Sequence, residues 1–230
     1  MLNKIIPDLN PAKIETSRRG FLLGASAVAG GLMVGMRSAP VSAASSGAAA
    51  GEPANPLAGY IHIAPDNSVT ILSSQFDMGQ GPYHGLATLV VEELGADWSQ
   101  IDVKGAAGNT KLYGNIMWGG AVQGTGGSTS MATSFDRYRQ AGAAAREMLI
   151  AAAAETWGVA TSEITISGGK LTDTSGNSAT FGDMAAKAAT MPLPQDVKLK
   201  DADEWTQIGN EKLRRFDSAA KTNGTHDFTI

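Results

Sequence analysis

The stretch MATSFDRYRQAGAAAREMLIAAAAETWGV, residues 131–159, constrains the fold of this chain more than any other. Phe135, Tyr138, Ala145, Met148, Leu149 and Ala152 fall on one stripe at helical spacing, with Arg137, Arg139, Arg146 and Glu147 elsewhere on the surface. Gly158 offers the left-handed residue that ends such a helix. The remainder of the 230 residues is read around this element, and with 43% hydrophobic residues and 28 glycines the chain suits one ordinary soluble domain. A net charge of -4, with 18 scattered Lys and Arg, lacks the basic footprint needed to bind nucleic acid. The absence of cysteine excludes disulfides, protein-bound iron–sulfur clusters and thiolate zinc sites on this chain. His62, His84 and His226 are far apart, with no carboxylate at ligand spacing, so no protein metal site is expected.

Residues 1–43 have the anatomy of an export signal. Ser17-Arg18-Arg19-Gly20-Phe21-Leu22 precedes a weakly apolar, glycine-containing run and then the small-residue site Val41-Ser42-Ala43, the pattern of a twin-arginine signal. The run is shorter than the ~20 residues that span a bilayer core, and Gly30-Gly31 interrupts it. Residues 44–58 are small, proline-rich and nearly uncharged, and read as a processed, flexible lead-in.

The folded part is expected over 59–191. Residues 60–64 and 69–73 alternate around Asp66-Asn67, which predicts a hairpin. A helix is predicted from Pro82 to Gly95, on the spacing of Leu86, Leu89, Val90 and Leu94. A short strand follows at 101–104, then a long glycine-rich loop over 105–130. Beyond the long helix come a second hairpin at 164–167 and 170–172, and a short helix starting at Phe181 that must end before Pro192. Residues 192–230 show no period and read as an extended tail. The fold class is therefore α+β.

Two stretches offer chemistry. In DMGQGPYHG, Gly79 and Gly81 allow close approach of a ligand to the backbone, and Gln80 supplies a donor and an acceptor ahead of a helix. A plain strand-to-helix turn would need the same glycines. In QGTGGSTS, the residues Gly126, Gly127, Ser128, Thr129 and Ser130 would gather amides and hydroxyls at the positive end of the long helix, where anions bind. A simple N-cap or a linker accounts for them equally well. Neither stretch matches the phosphate-loop or dinucleotide fingerprints. Glu92 and Glu93 point apart on a helix, which argues against a catalytic pair and leaves at least one of them to solvent. Arg214 and Arg215 read either as solvated or as partners for acids on another chain.

Taken in order, Asp77-Met78-Gly79-Gln80-Gly81, LVVEELGADWSQIDV, the long helix with the GGSTS ahead of it, and IGNEKLRRFDSAAKTNGTHDFTI resemble the molybdopterin-binding large subunit of the xanthine dehydrogenase and aldehyde oxidase family. Within that family the branch is that of periplasmic isoquinoline 1-oxidoreductase beta subunits and related aldehyde dehydrogenases. The resemblance implies a molybdenum–molybdopterin cofactor, with its cytosine dinucleotide as one form. Gly79, Gln80 and Gly81 would approach the pterin core, with Gln80 hydrogen bonded to it, and residues 126–130 its pyrophosphate or nucleotide end. It implies insertion of a water-derived oxygen at an electron-poor carbon, with a glutamate base acting on a metal-bound hydroxide and hydride passing to a sulfide ligand. Electrons would leave through iron–sulfur clusters on a small partner subunit, with a cytochrome among the acceptors it allows. Asp77 stands where the family usually has glutamate.

Family members are several times longer, and the base glutamate lies in the part beyond this chain, so no catalytic residue is assigned here. The reading is the cofactor-binding portion of a periplasmic molybdenum hydroxylase whose remaining domains lie on another chain. The alternative is a non-catalytic module for export and assembly of a partner oxidoreductase subunit.

Overall fold

The computed structural model describes residues 59–194 and 196–226, and the backbone of two strands at 23–28 and 31–36. The larger sheet runs in the order β1 (Leu23–Val28), β2 (Gly31–Met36), β3 (Ile61–Ile63), β4 (Val69–Ser73) and β5 (Ile101–Gly105). Its first four strands are antiparallel neighbours, and β5 lies parallel to β4. The apolar run expected in an export signal thus contributes backbone to β1 and β2, and β2 pairs with β3. The Arg18-Arg19 pair, the site at 41–43 and the lead-in at 44–58 lie outside the described residues.

The hairpin of β3 and β4 follows the alternation in its sequence. Ile61 faces Ile71 and Ile63 faces Val69, all fully buried, and the turn closes on Asp66, which accepts from the Ser68 amide at 2.9 Å. Helix α1 (Pro82–Leu94) crosses over to β5 and stops at Gly95 in the left-handed conformation. A parallel β5 requires such a crossover, which the short strand at 101–104 did not disclose.

Helix α3 (Ser130–Trp157) is the centre of the molecule and stops at Gly158, as its sequence predicts. Its Tyr138, Ala141, Ala145, Met148 and Leu149 pack against Leu86, Leu89, Val90 and Leu94 of α1, all buried. Each large aliphatic side chain so buried contributes about 1.5–3 kcal/mol. The two helices approach closely because α3 carries glycine at the crossing: a Cβ on Gly142 would stand 2.9 Å from the Val90 carbonyl oxygen. Tyr60, Tyr113 and Tyr138 meet edge to face, and the Tyr138 hydroxyl donates to Leu72 O at 2.8 Å and accepts from Ser74 N at 2.6 Å. That hydroxyl ties α3 to the C-terminal end of β4.

The second hairpin gains a strand. β6 (Ile164–Ser167), β7 (Lys170–Asp173) and β8 (Ser178–Thr180) form a three-stranded antiparallel sheet, and β8 leads into α4 (Phe181–Ala188) through a Thr180–Asp183 capping box. Two other short helices interrupt segments read as irregular. The loop over 105–130 holds α2 (Thr110–Tyr113), capped by Asn109, and a 3₁₀ turn over Ile116–Trp118, capped by Asn115. The tail holds α5 (Ser218–Asn223). The tail is otherwise without long regular structure, yet Glu92 and Glu93 of α1 grip it.

Candidate functional site

The first loop leaves β4 at its C-terminal end and enters α1. Gly79 and Gly81 have φ of 103° and 97°, values that a residue with a Cβ adopts only under strain. Gln80 folds back over this bend: its Oε1 accepts from Met78 N at 2.6 Å and its Nε2 donates to Phe76 O at 2.8 Å. The amide still has one N–H and one acceptor lone pair to offer outward. Asp77 holds the other side, accepting from Gly79 N at 2.7 Å and from Tyr83 N, in the first turn of α1, at 3.2 Å. Burial works to raise the Asp77 carboxyl, but the Gly79 and Tyr83 amides, with Lys221, prevail and keep it below its ordinary value. The carboxylate on its short stem therefore shapes the loop from within.

The second loop precedes α3. Gly127 and Ser128 both have positive φ, 59° and 57°. Thr129 occupies the N-cap position, but its hydroxyl turns back to donate to Gly126 O at 2.7 Å and accepts from Asn115 Nδ2 at 2.7 Å. No side chain caps α3. The hydroxyls of Ser128 and Ser130 have no hydrogen-bond partner among the described residues. The first turn of this long helix thus meets no capping side chain, as an anion site requires.

The structure brings the two loops together through Gln75 and Phe76, just ahead of the first stretch, and Thr125, inside the second. Phe76 N donates to Thr125 Oγ1 at 2.7 Å, and Thr125 Oγ1 donates to Gln75 Oε1 at 3.0 Å. Gln75 is 2% exposed, and its Nε2 has no partner among the described residues. Gln75, Met78, Asn109, Gln123 and Thr125 line a cleft of about 1020 Å³. A neighbouring cleft of about 600 Å³ is bounded by Asp77, Gly79, Tyr83, Lys104, Phe216 and Lys221. Gly79 thus borders a cavity, whereas Gln80, Gly81 and residues 126–130 line neither of the two. No spacing in the sequence marks Gln75 or Thr125, because each matters through a contact some fifty positions away.

The paired glutamates correct one expectation. Both are buried, Glu92 at 1% and Glu93 at 0% exposure, and neither is left to solvent. They do point apart. Glu93 pairs with Arg139 at 2.7 Å and Arg146 at 3.2 Å on α3, and accepts from Lys200 N at 3.1 Å. Glu92 turns to the tail, where Lys200 Nζ at 2.9 Å and the amides of Thr206, Gln207 and Ile208 surround it. Both carboxylates are fully engaged as anchors, which leaves them no proton-transfer role. Arg215 pairs with Asp217 of its own chain. Among the described residues no three His, Asp or Glu side chains gather as a metal site.

Residues 13–229 match the model of the molybdopterin cofactor-binding domain. The chain is 33% identical over 226 residues to the membrane-bound aldehyde dehydrogenase [pyrroloquinoline-quinone] of Gluconacetobacter polyoxogenes, covering 93% of this chain and 27% of that protein. It is also 33% identical over 195 residues to the isoquinoline 1-oxidoreductase subunit beta of Brevundimonas diminuta, covering 80% and 23%. The chain therefore spans about a quarter of the length of these curated relatives. Among solved structures, quinoline 2-oxidoreductase from Pseudomonas putida 86 aligns with a TM-score of 0.43 and 22% identity, over 60% of this chain and 17% of the other.

Proposed function

The chain belongs to the molybdopterin cofactor-binding domain family, and from that membership we propose that it is the cofactor-binding portion of a periplasmic molybdenum hydroxylase. The enzyme would oxidise an aldehyde or an N-heterocycle with oxygen taken from water, in keeping with the names of the two relatives. Its remaining domains, with the glutamate base, a small iron–sulfur subunit and an acceptor such as a cytochrome, would be supplied from outside this chain. The twin-arginine pattern at Arg18 and Arg19 supports export.

One observation carries the reading. The 79–81 loop sits beyond the C-terminal end of β4 within the β4–α1–β5 crossover, and in sheets with parallel strands ligands gather at that end. The donors available there fit the group. Gly79 has open space where a Cβ would stand, and Gln80 keeps one donor and one acceptor for the edge of a pterin. Gly126, Gly127, Ser128, Thr129 and Ser130, at the uncapped start of α3, suit its phosphate or dinucleotide end. When bound, the cofactor supplies two-electron redox chemistry at molybdenum. The part of this chain is to bind it, orient it and exclude water around it. Phe76, Met78 and Val122 are 52–71% exposed in the lining of the large cleft, apolar surface that suits coverage by further domains.

The test is to purify the chain with its partners from cofactor-replete cells and to assay molybdenum, pterin and pyrroloquinoline quinone. Molybdenum and pterin at near-equal amounts are expected, reduced in Gln80→Ala. A complex with neither would reject the hydroxylase reading in favour of an export and assembly role, and quinone alone would assign it the chemistry in the name of one relative. Arg18→Lys combined with Arg19→Lys is expected to hold the chain in the cytoplasm.

A further inference from the structure

The loop over 76–83 is gripped from outside by a segment more than 130 positions away. Asp217, 6% exposed, receives Arg215 Nε at 3.0 Å and Nη2 at 2.7 Å, and Lys221 Nζ adds a third bond. Lys221 Nζ also reaches Asp77 Oδ1 at 3.2 Å. Arg215 Nη1 donates to Gly79 O at 3.0 Å. Both polar ends of Gly79 are therefore fixed, its N–H by Asp77 and its carbonyl by Arg215, and the two fixing groups meet again at Asp217 and Lys221. Two carboxylates face two cations, so the cluster is neutral, and Asp77, Asp217 and Lys221, at 4–16% exposure, are screened less than a surface pair would be, while Arg215 is 33% exposed.

The plainer role for these residues is to fasten the tail. That task is already performed upstream, where Glu92 and Glu93 hold Lys200, Thr206, Gln207 and Ile208 against α1. The second anchor spends its bonds on a loop backbone and on the carboxylate that shapes that loop. Gly81 makes room for it, since a Cβ there would lie 2.9 Å from Arg215 Nη1. The glycine serves the clamp as well as the bend.

We propose that Arg215, Asp217 and Lys221 are positioning residues, an ionic clamp that holds the Gly79 and Gly81 backbone in the conformation that presents Gln80. The proposal rests on the reading of that loop as a cofactor contact. The clamp acts by pre-organisation: it removes the conformational freedom the loop would otherwise lose on binding.

The test has two arms, both on the full chain with its partners. In the first, hydrogen–deuterium exchange is followed at Gly79 and Tyr83, whose amides bond to Asp77. Lys221→Met is expected to speed their exchange at least about tenfold, the size of one charge-assisted hydrogen bond. Lys221→Arg is expected to restore it, and Lys200→Met, at the other anchor, to leave it unchanged. Unaltered exchange in Lys221→Met overturns the clamp. If that variant does not fold, Arg215→Lys keeps the charge while losing the two-point grip on Asp217, and the same comparison applies. In the second arm, molybdenum and pterin retained after gel filtration are expected to fall with loop protection across the series. Loosened loops with full retention overturn the positioning role. A wild-type complex without molybdenum or pterin defeats the cofactor reading, and the exchange arm still decides whether the clamp exists.

Discussion

Gly81 has a left-handed backbone and lies against the Arg215 guanidinium, so Gly81→Ala meets two costs at once. The strained conformation alone is worth about 1–3 kcal/mol, and the expected loss in urea unfolding is of that size. Glu93→Gln strikes a different kind of residue. It leaves Arg139, 9% exposed, and Arg146 without their carboxylate, and breaking a buried pair from one side costs about 3–5 kcal/mol. The exposed pair of Asp102 and Lys104, both more than half exposed, is the control: Lys104→Ala should cost less than about 1 kcal/mol in the same measurement. Sequence spacing shows that Glu92 and Glu93 point apart, and it stops there. Their partners come from α3 and from a segment over a hundred positions later, and nothing local marks a carboxylate as buried. For the same reason Asp77 can be read as a family carboxylate on a shorter stem, while its bond to Lys221, 144 positions away, cannot.

At the scale of elements, α1 and α3 stand on a crossing that only glycine permits. Gly142→Val places a branched side chain against the Val90 carbonyl and the Glu93 Cβ, and the overpacking is expected to cost about 1–3 kcal/mol in thermal or urea unfolding. The tail answers to pH instead. Burial works to raise the Asp217 carboxyl, but the bonds from Arg215 and Lys221 win and hold it below the usual carboxylate range. Glu92 is likewise raised by burial and lowered, with net effect downward, by the Gln207 amide and Lys200. Both groups bind a proton less readily folded than unfolded. Their contribution is whole above about pH 5, clear of both unfolded values, and is lost as pH falls through the lower folded values. Amide exchange in acid should therefore show 198–221 opening before α1 and α3; simultaneous opening would contradict this. β4, α1 and α3 are legible in the sequence because their own side chains carry the period of 2 or 3.6. β8 has three residues and no period, and α5 sits in a tail stretch without one, so neither is legible. The 105–130 loop is ordered by one buried Asn115, which bonds to Gly124 O and Thr129 across it.

As a whole molecule, the chain presents exposed Met78 and Val122 in the lining of the large cleft, and Met117 and Trp118 are exposed as well. On its own the chain is expected to self-associate, and Met117→Ser with Val122→Ser should reduce the scattering while leaving the unfolding midpoint within about a degree, since neither side chain is in the core. The two glycine loops are joined by the bonds of Thr125 to Phe76 and Gln75, a link legible only in three dimensions. The two anchors of the tail also set an order in time. Glu92 meets Thr206 and Asp77 meets Lys221 only by closing loops of more than a hundred residues, and such contacts form late, after the β4–α1–β5 unit and α3 can already nucleate. The 79–81 loop is therefore expected to be secured last, with its local bonds to Asp77 and Gln80 formed before the tail closes on it, and a chain ended after α4 should exchange its Gly79 and Tyr83 amides faster than the full chain does.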